Sequence, residues 1–453
     1  MKIAPARDAA FEILLKIALT DAHSDELLRT RRVDALTPQD RALTTTLVLD
    51  TLRWRMKLDA RIRPLLSRPD AKLPPAVETA LRLGAFQLLY LDRIPPYAAI
   101  SESVELAKQA GEAHAARMVN AVLRKLARLP HEPEITQPES LEEIAAAFAH
   151  PLWLVERWAL AYGLSSAEAI CRFDQQSASR SVRLLDPSAG RHLADDGIQL
   201  EPGEFLKATR RVVSGDIVRS SAFRDGRVRI QDEGSQLVAE LAACGSHIGP
   251  GTHILDTCAA PGGKTAILAE RNPEAAITAW DISKRRLDAM RSQFAAATER
   301  IRFEVADATT KKLNPEYGLI LCDVPCTGTG TIGRNPEIRF RITDDEIPRQ
   351  HARQVKILSA ALPGLARSGR LLYSTCSLEP EENDSVVEEC LAAHPGFALY
   401  PLDHAVESLA RRGILTDQGA EHLRTSALKS GCLRTIPGVH NCDGFFAALL
   451  MRN

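Results

Sequence analysis

Apolar residues recur three and four apart in AAFEILLKIAL, in RALTTTLVLDTLRWRMKLDARIRPLL and in VETALRLGAFQLLYL. This is the spacing of one buried helix face, and it predicts an all-helical domain over residues 1–130. Thr37 and Pro38 read as a cap and a first helical residue. Pro95-Pro96 interrupts the pattern, as does LPHEPEITQPES at 129–140, whose three prolines and three acids predict a linker. A helical start at LEEIAAAFAHPLWLVERWALAYG then gives way to short alternating pieces, SVRLL, RVVSG and GRVRIQD. These predict a small α+β domain over 141–245.

From about His253 short apolar runs alternate with helical segments. The predicted strands are HILDTC, ITAWDI, IRFEVADA, GLILCDVP and GRLLYSTCS. Between them lie GKTAILAER, KRRLDAMRSQFAAA and QHARQVKILSAALPGLA. Strand–helix alternation at this spacing predicts a doubly wound, parallel, Rossmann-like α/β domain over 246–453. The closing CLRTIPGVHNCDGFFAALLM predicts a hairpin on the edge of that sheet. The chain is therefore expected to be multidomain.

Composition narrows the class. A hydrophobic fraction of 45% and a charged fraction of 25% are those of an ordinary globular protein. No apolar run approaches the ~20 residues of a membrane span. The first stretch, broken by Arg7, Asp8, Glu12 and Lys16, is not a signal peptide. A cytoplasmic location is expected. Nine cysteines without C-x-x-C or Cys/His spacing predict reduced thiols and no metal site. The net charge of −1 hides an uneven distribution. Residues 1–130 hold 21 basic and 15 acidic side chains, whereas residues 131–246 hold 12 and 18. A mildly basic first domain suits phosphate contacts, and the acidic middle one suits a scaffold.

The first of these strands ends in DTCAAPGGKT (256–265). Small residues and glycines let the backbone pass close to a ligand at a helix N-terminus. Neither the phosphate-loop spacing nor the dinucleotide fingerprint is present. Acids end the next strands: Asp281, which can take ribose hydroxyls, Asp307, which can face an adenine amino group, and Asp323. In open α/β sheets ligands bind at these carboxyl ends. Each acid alone could be a helix cap; together with the loop they predict S-adenosyl-L-methionine.

Two cysteines lie just past strand ends, Cys326 in DVPCTGTG and Cys376 in YSTCS. A buried cysteine is commonly an apolar filler, and that reading serves Cys171, Cys244, Cys322 and Cys390. It serves Cys326 and Cys376 poorly, because their neighbours are polar residues and glycine. Carbon 5 of cytosine is too weak a nucleophile to attack a methylsulfonium. A thiolate adding at carbon 6 makes the ring enamine-like, and a carboxyl group at N3, here Asp323, assists. A second thiol can then help the carbon 5 proton to leave and the enzyme–base bond to break.

These motifs, DTCAAPGGKT, DVPCTGTG and YSTCSLEPEEN (373–383) with the closing DGFF (443–446), strongly resemble the bacterial ribosomal RNA cytosine-C5 methyltransferase family. The resemblance extends over nearly the whole chain. GAFQLLYLDRIPPYAAISESVELAK and MVNAVLRKLAR are similar to a NusB-type RNA-binding helical domain, and GRVRIQDEGSQL (226–237) to the family's lead-in to the methyltransferase domain. The resemblance implies that Cys376 is the nucleophile and Cys326 the releasing thiol, an order that spacing left open. It implies cofactor contacts at Cys258, Ala259, Ala260, Pro261, Gly262, Gly263, Lys264, Asp281, Asp307 and Asp323, with Lys264 also orienting Asp323. The substrate it implies is 16S ribosomal RNA, bound by a monomer, with Arg334 and Arg286 as candidate RNA contacts. In GTIGRNPEIRF (330–340) the chain departs from the family, which has paired arginines and R-H-P-D there.

Three other readings compete. A transfer-RNA cytosine-C5 methyltransferase shares the chemistry, and only the NusB-like domain argues for ribosomal RNA. A non-catalytic NusB-like RNA-binding factor would not need Asp323, Cys326 and Cys376 together. A methyltransferase acting on an amino group would carry N/D-P-P-Y in place of DVPC and needs no thiol.

Overall fold

The computed structural model describes residues 3–130, 136–176, 180–244, 252–294, 300–314 and 316–453. The chain divides into two compact units. The first comprises Met1–Gln176 and Ile332–Arg341, and the second Ser177–Thr331 and Ile342–Asn453. Part of the proline-rich linker, and the 245/246 boundary expected from sequence, lie outside the described residues.

The first unit is helical. Its main helices are Pro5–Leu19, Pro38–Arg53, Arg55–Ile62, Pro75–Tyr90, Pro96–Gln109 and Ala116–Leu126. Four of these begin with proline, whose fixed φ and missing N–H suit the first turn. Thr37 caps its helix as expected, accepting from Asp40 N at 3.1 Å. The periodic apolar faces meet in one core that includes Leu14, Leu47, Leu81, Leu83 and Leu123. The helices Leu141–Ala147, Leu152–Tyr162 and Leu164–Gln175 belong to this unit, although the sequence grouped them with the strands that follow.

Ile332–Arg341, far along the chain, is also part of this unit. Glu337 is buried and accepts from Ser24 N at 2.8 Å and Ser24 Oγ at 2.9 Å. Arg53 Nη2 donates to Gly333 O at 2.8 Å, and Arg339 Nη1 to Ala149 O at 3.1 Å. Arg341 Nη2 donates to Ala22 O at 2.7 Å, among the carbonyls that follow the first helix, where a cation complements the helix dipole. The acid that marks the family departure at 337 thus has a structural partner within the helical unit.

The second unit begins with an antiparallel sheet of β1 (Arg180–Leu184), β2 (Gln199–Pro202), β3 (Thr209–Ser214) and β4 (Val228–Ile230), in the order β2-β3-β1-β4. The sequence missed β2, an edge strand with an almost wholly exposed pattern. The large sheet contains β5 (His253–Asp256), β6 (Ala276–Asp281), β7 (Ile301–Val305), β8 (Tyr317–Asp323), β9 (Leu365–Thr375), β10 (Phe397–Tyr400), β11 (Leu428–Lys429), β12 (Cys432–Thr435) and β13 (Phe445–Arg452). Its order is β11-β12-β13-β9-β8-β5-β6-β7, with β10 also on β13. Strands β5 to β9 are parallel neighbours, all five read from sequence. The closing hairpin of β12 and β13 is antiparallel, and β13 extends the sheet beside β9.

This order fixes where a ligand can bind. From β5 the chain runs outward through β6 and β7, then returns to the other side of β5 as β8. The crevice of a doubly wound sheet opens at such a switch, beyond the carboxyl ends of the strands. The DTCAAPGGKT loop leaves β5 and the DVPC loop leaves β8 at that point. Among the described residues no helix is long and apolar enough to cross a membrane.

Candidate active site

The loop after β5 is held from below and from the side. Asp256 is buried and accepts from Thr265 Oγ1 at 2.6 Å. Ala259 N donates to Trp280 O at 2.7 Å, tying the loop to β6. Gly262 has φ +106°, and a Cβ there would lie 2.9 Å from Met290 and from Phe294. Only glycine meets both demands. Gly263 opens the helix Gly263–Arg271, whose first N–H groups face the loop. Cys258 is packed beneath; burial pushes its thiol up to about 12, so it remains protonated.

Asp281, at the end of β6, is buried and accepts from Ser283 N at 2.8 Å. Arg286 reaches the same loop. Its Nη2 donates to Ala260 O at 2.7 Å and its Nη1 lies 3.6 Å from Asp281 Oδ2. Arg286, a candidate RNA contact from sequence, therefore braces the backbone of the β5 loop. Asp307 lies two residues beyond β7, exposed. It accepts from Thr309 N at 2.9 Å and Thr309 Oγ1 at 2.7 Å, bonds that hold its carboxyl below the usual range. Arg334 lies in the segment Ile332–Arg341 of the helical unit.

The structure brings Lys264, Asp323, Cys326 and Cys376 together. Lys264 Nζ donates to Asp323 Oδ2 at 2.7 Å, and Ser374 Oγ donates to Asp323 Oδ1 at 2.7 Å. Burial opposes the charge on Lys264, but the Asp323 carboxylate outweighs it and holds the ammonium above its ordinary value. The same ammonium lies 4.9 Å from the ring centre of Phe445, in the DGFF stretch. Cys326 Sγ and Cys376 Sγ are 3.4 Å apart. The hydrogen bond to Cys376, together with burial, pushes Cys326 well up, so it is held as a thiol.

The loops bearing the two cysteines are laced to each other. Gly330 N donates to Cys376 O at 2.9 Å, and Val324 N to Ser374 O at 3.0 Å. Beneath them lies Glu382, fully buried, which sequence reasoning did not single out although it falls within YSTCSLEPEEN. Burial pushes its carboxyl up, against the donors that surround it. Thr327, Ser377, Asn383 and Gln354 complete the polar floor. Their signal was a run of small hydroxyl residues and acids, which composition alone reads as a loop.

Comparison with known proteins agrees with this arrangement. Residues 247–451 match the family model described as 16S rRNA methyltransferase RsmB/F, and residues 4–128 match the NusB family. The probable ribosomal RNA small subunit methyltransferase B of Bacillus subtilis is 33% identical over 98% of both chains. The ribosomal RNA small subunit methyltransferase B of Xanthomonas campestris is 32% identical over 92% of this chain and 90% of its own. The crystal structure of PH0851, 24% identical, superimposes over the full length of both chains with a TM-score of 0.81, which shows the shared fold. The chain belongs to the ribosomal RNA small subunit methyltransferase B family, a family of S-adenosylmethionine-dependent ribosomal RNA methyltransferases.

Proposed function

We propose that the protein methylates carbon 5 of a cytidine in 16S ribosomal RNA, using S-adenosyl-L-methionine, through a covalent bond between Cys376 and carbon 6. The observation that carries this reading is the 3.4 Å approach of two thiols beside an aspartate whose two oxygens are both held. Packing does not call for two sulfurs in a polar pocket, and methylation of an amino group needs none.

The crevice suits the cofactor, which supplies an electrophilic methyl group when bound. A cradle of backbone without side chains at Gly262 and Gly263 leaves room for the methionine part. Asp281, buried at the end of β6, retains lone pairs for ribose hydroxyls. Residues 258–264 and Asp281 would hold it, with Asp307 near the base and Asp323 toward the reacting end.

The residues divide the work. Asp323, oriented by Lys264 and Ser374, hydrogen-bonds N3 and eases electron flow into the ring. Cys376 adds to carbon 6, which makes carbon 5 nucleophilic. Cys326 is a thiol while Cys376 carries charge beside it. Once Cys376 is bonded to carbon that charge is gone, and Cys326 can ionise and accept the carbon 5 proton. The released electron pair re-forms the ring double bond and expels Cys376 as thiolate. The geometry supports this order, because the thiol held protonated is the one cast as the later base. The test is nucleoside mass spectrometry of small-subunit ribosomal RNA incubated with protein and cofactor. 5-Methylcytidine is expected; a methyl group on a ribose, an exocyclic amine or a purine would refute the reading.

A further inference from the structure

The two thiols belong to different strand ends, and their separation depends on what holds those ends in register. Thr327 follows Cys326 and Ser377 follows Cys376. Thr327 N donates to Glu382 Oε1 at 2.9 Å, and the Thr327 and Ser377 hydroxyls both donate to Glu382 Oε2. Gln354 Nε2 donates to Glu382 Oε1 at 2.9 Å and also to Pro325 O, the residue before Cys326, at 2.9 Å. The Glu382 backbone is itself fixed, since Tyr373 on β9 donates its hydroxyl to Glu382 O at 2.6 Å.

We propose that Glu382 is a positioning residue that sets the spacing of Cys326 and Cys376, because one buried carboxylate bonds to the residue following each. Burying a carboxylate is costly unless it is fully hydrogen-bonded. A side chain kept only for packing would be apolar here. An acceptor-only group with two oxygens takes donors from both loops at once, which neither an amide nor a hydroxyl can do as fully. Both thiols must address adjacent carbons of one ring, so a displacement of about 1 Å is enough to cost roughly a hundredfold in rate.

The consequence for turnover rests on the two-thiol reading, and the test separates the two claims. Glu382→Ala and Glu382→Gln are made in the full chain. Oxidation by diamide, which takes one hydrogen from each thiol to become a hydrazine as the disulfide forms, reads the spacing directly. Peptide mapping follows the Cys326–Cys376 link. Glu382→Ala is expected to slow that link about tenfold and turnover about a hundredfold. S-adenosylhomocysteine affinity should stay within about twofold of wild type, since Glu382 bonds to no residue of the β5 loop. Glu382→Gln, which keeps an acceptor for Thr327 N, should recover part of both losses. If Glu382→Ala does not fold, Glu382→Gln is judged alone, with a slower link at unchanged cofactor affinity as the supporting result. Wild-type linking and turnover in the variants would overturn the proposal, and so would losses matched by an equal loss of cofactor affinity. A wild-type enzyme that forms no covalent RNA adduct would instead refute the two-thiol reading, and the linking rates would still judge Glu382.

Discussion

Lys264 donates to one oxygen of Asp323 while Ser374 donates to the other, each at 2.7 Å, so the carboxylate has no rotational freedom left. The lysine comes from the loop after β5 and the serine from β9, on either side of β8. Three adjacent strands therefore fix one side chain. Asp323→Asn should lower the rate of methyl transfer by about 10²–10⁴-fold. Ser374→Ala, which frees one oxygen but leaves the ion pair, should cost less. Single-turnover assays with labelled cofactor give both values; equal losses would mean that the serine does more than orient.

The β5 loop makes a separate prediction. Gly262→Ala would force a side chain into a left-handed conformation and against Met290 and Phe294. The backbone strain alone is worth about 1–3 kcal/mol. Both thermal stability and cofactor affinity should fall, measured as the melting temperature with and without S-adenosylhomocysteine. An unchanged cofactor-induced shift would show that the loop's path does not matter for binding.

Asp256 predicts a pH dependence. Burial raises its carboxyl from 3.8 to about 7 in the folded protein. A raised carboxyl contributes stability that is fully present below the unfolded value, and that is lost as pH rises through the folded one. Wild-type stability should therefore fall between about pH 4 and 7 through this group. Asp256→Asn cannot ionise and still accepts from Thr265. Its stability relative to wild type should rise across that window and then level off. Urea unfolding midpoints at several pH values test this; parallel curves would refute it.

How much of this was legible in the sequence follows from how local each signal is. Strands β5 to β9 were readable because a buried parallel strand is a continuous apolar run, and four of the five end on chemistry-bearing residues. The pair Cys326 and Cys376 was readable because cysteine among glycine and hydroxyl residues has no packing purpose. Glu382 was not, because its partners lie as far as 55 positions away and an acid in a loop looks solvated. Arg286 looked like a surface cation on a helix, and its bond to Ala260 O depends on where β6 lies beside β5. The contribution of Ile332–Arg341 to the helical unit was invisible for the same reason: Glu337 and Ser24 are 313 positions apart.

That segment carries its own prediction. Arg339 is buried, donates to Ala149 O, and partly offsets the cost of burying Asp174, whose carboxyl burial pushes up to about 7. Arg339→Ala leaves Asp174 without this cation, at a cost of about 3–5 kcal/mol. Three of the four tryptophans, Trp54, Trp153 and Trp158, lie in the helical unit, so fluorescence-monitored urea unfolding reads it. A change below about 1 kcal/mol would mean that the segment is only loosely held.

The central claim is that Cys376 bonds to the base and Cys326 releases it. The direct measurement is denaturing electrophoresis of the protein after incubation with cofactor and RNA containing 5-fluorocytidine, which cannot lose a proton from carbon 5. Wild type should form a stable protein–RNA adduct, and Cys376→Ser should form none. Cys326→Ser should accumulate an adduct even with ordinary cytidine. An absence of adduct with wild type, or an exchange of the two variants' behaviour, would contradict the account.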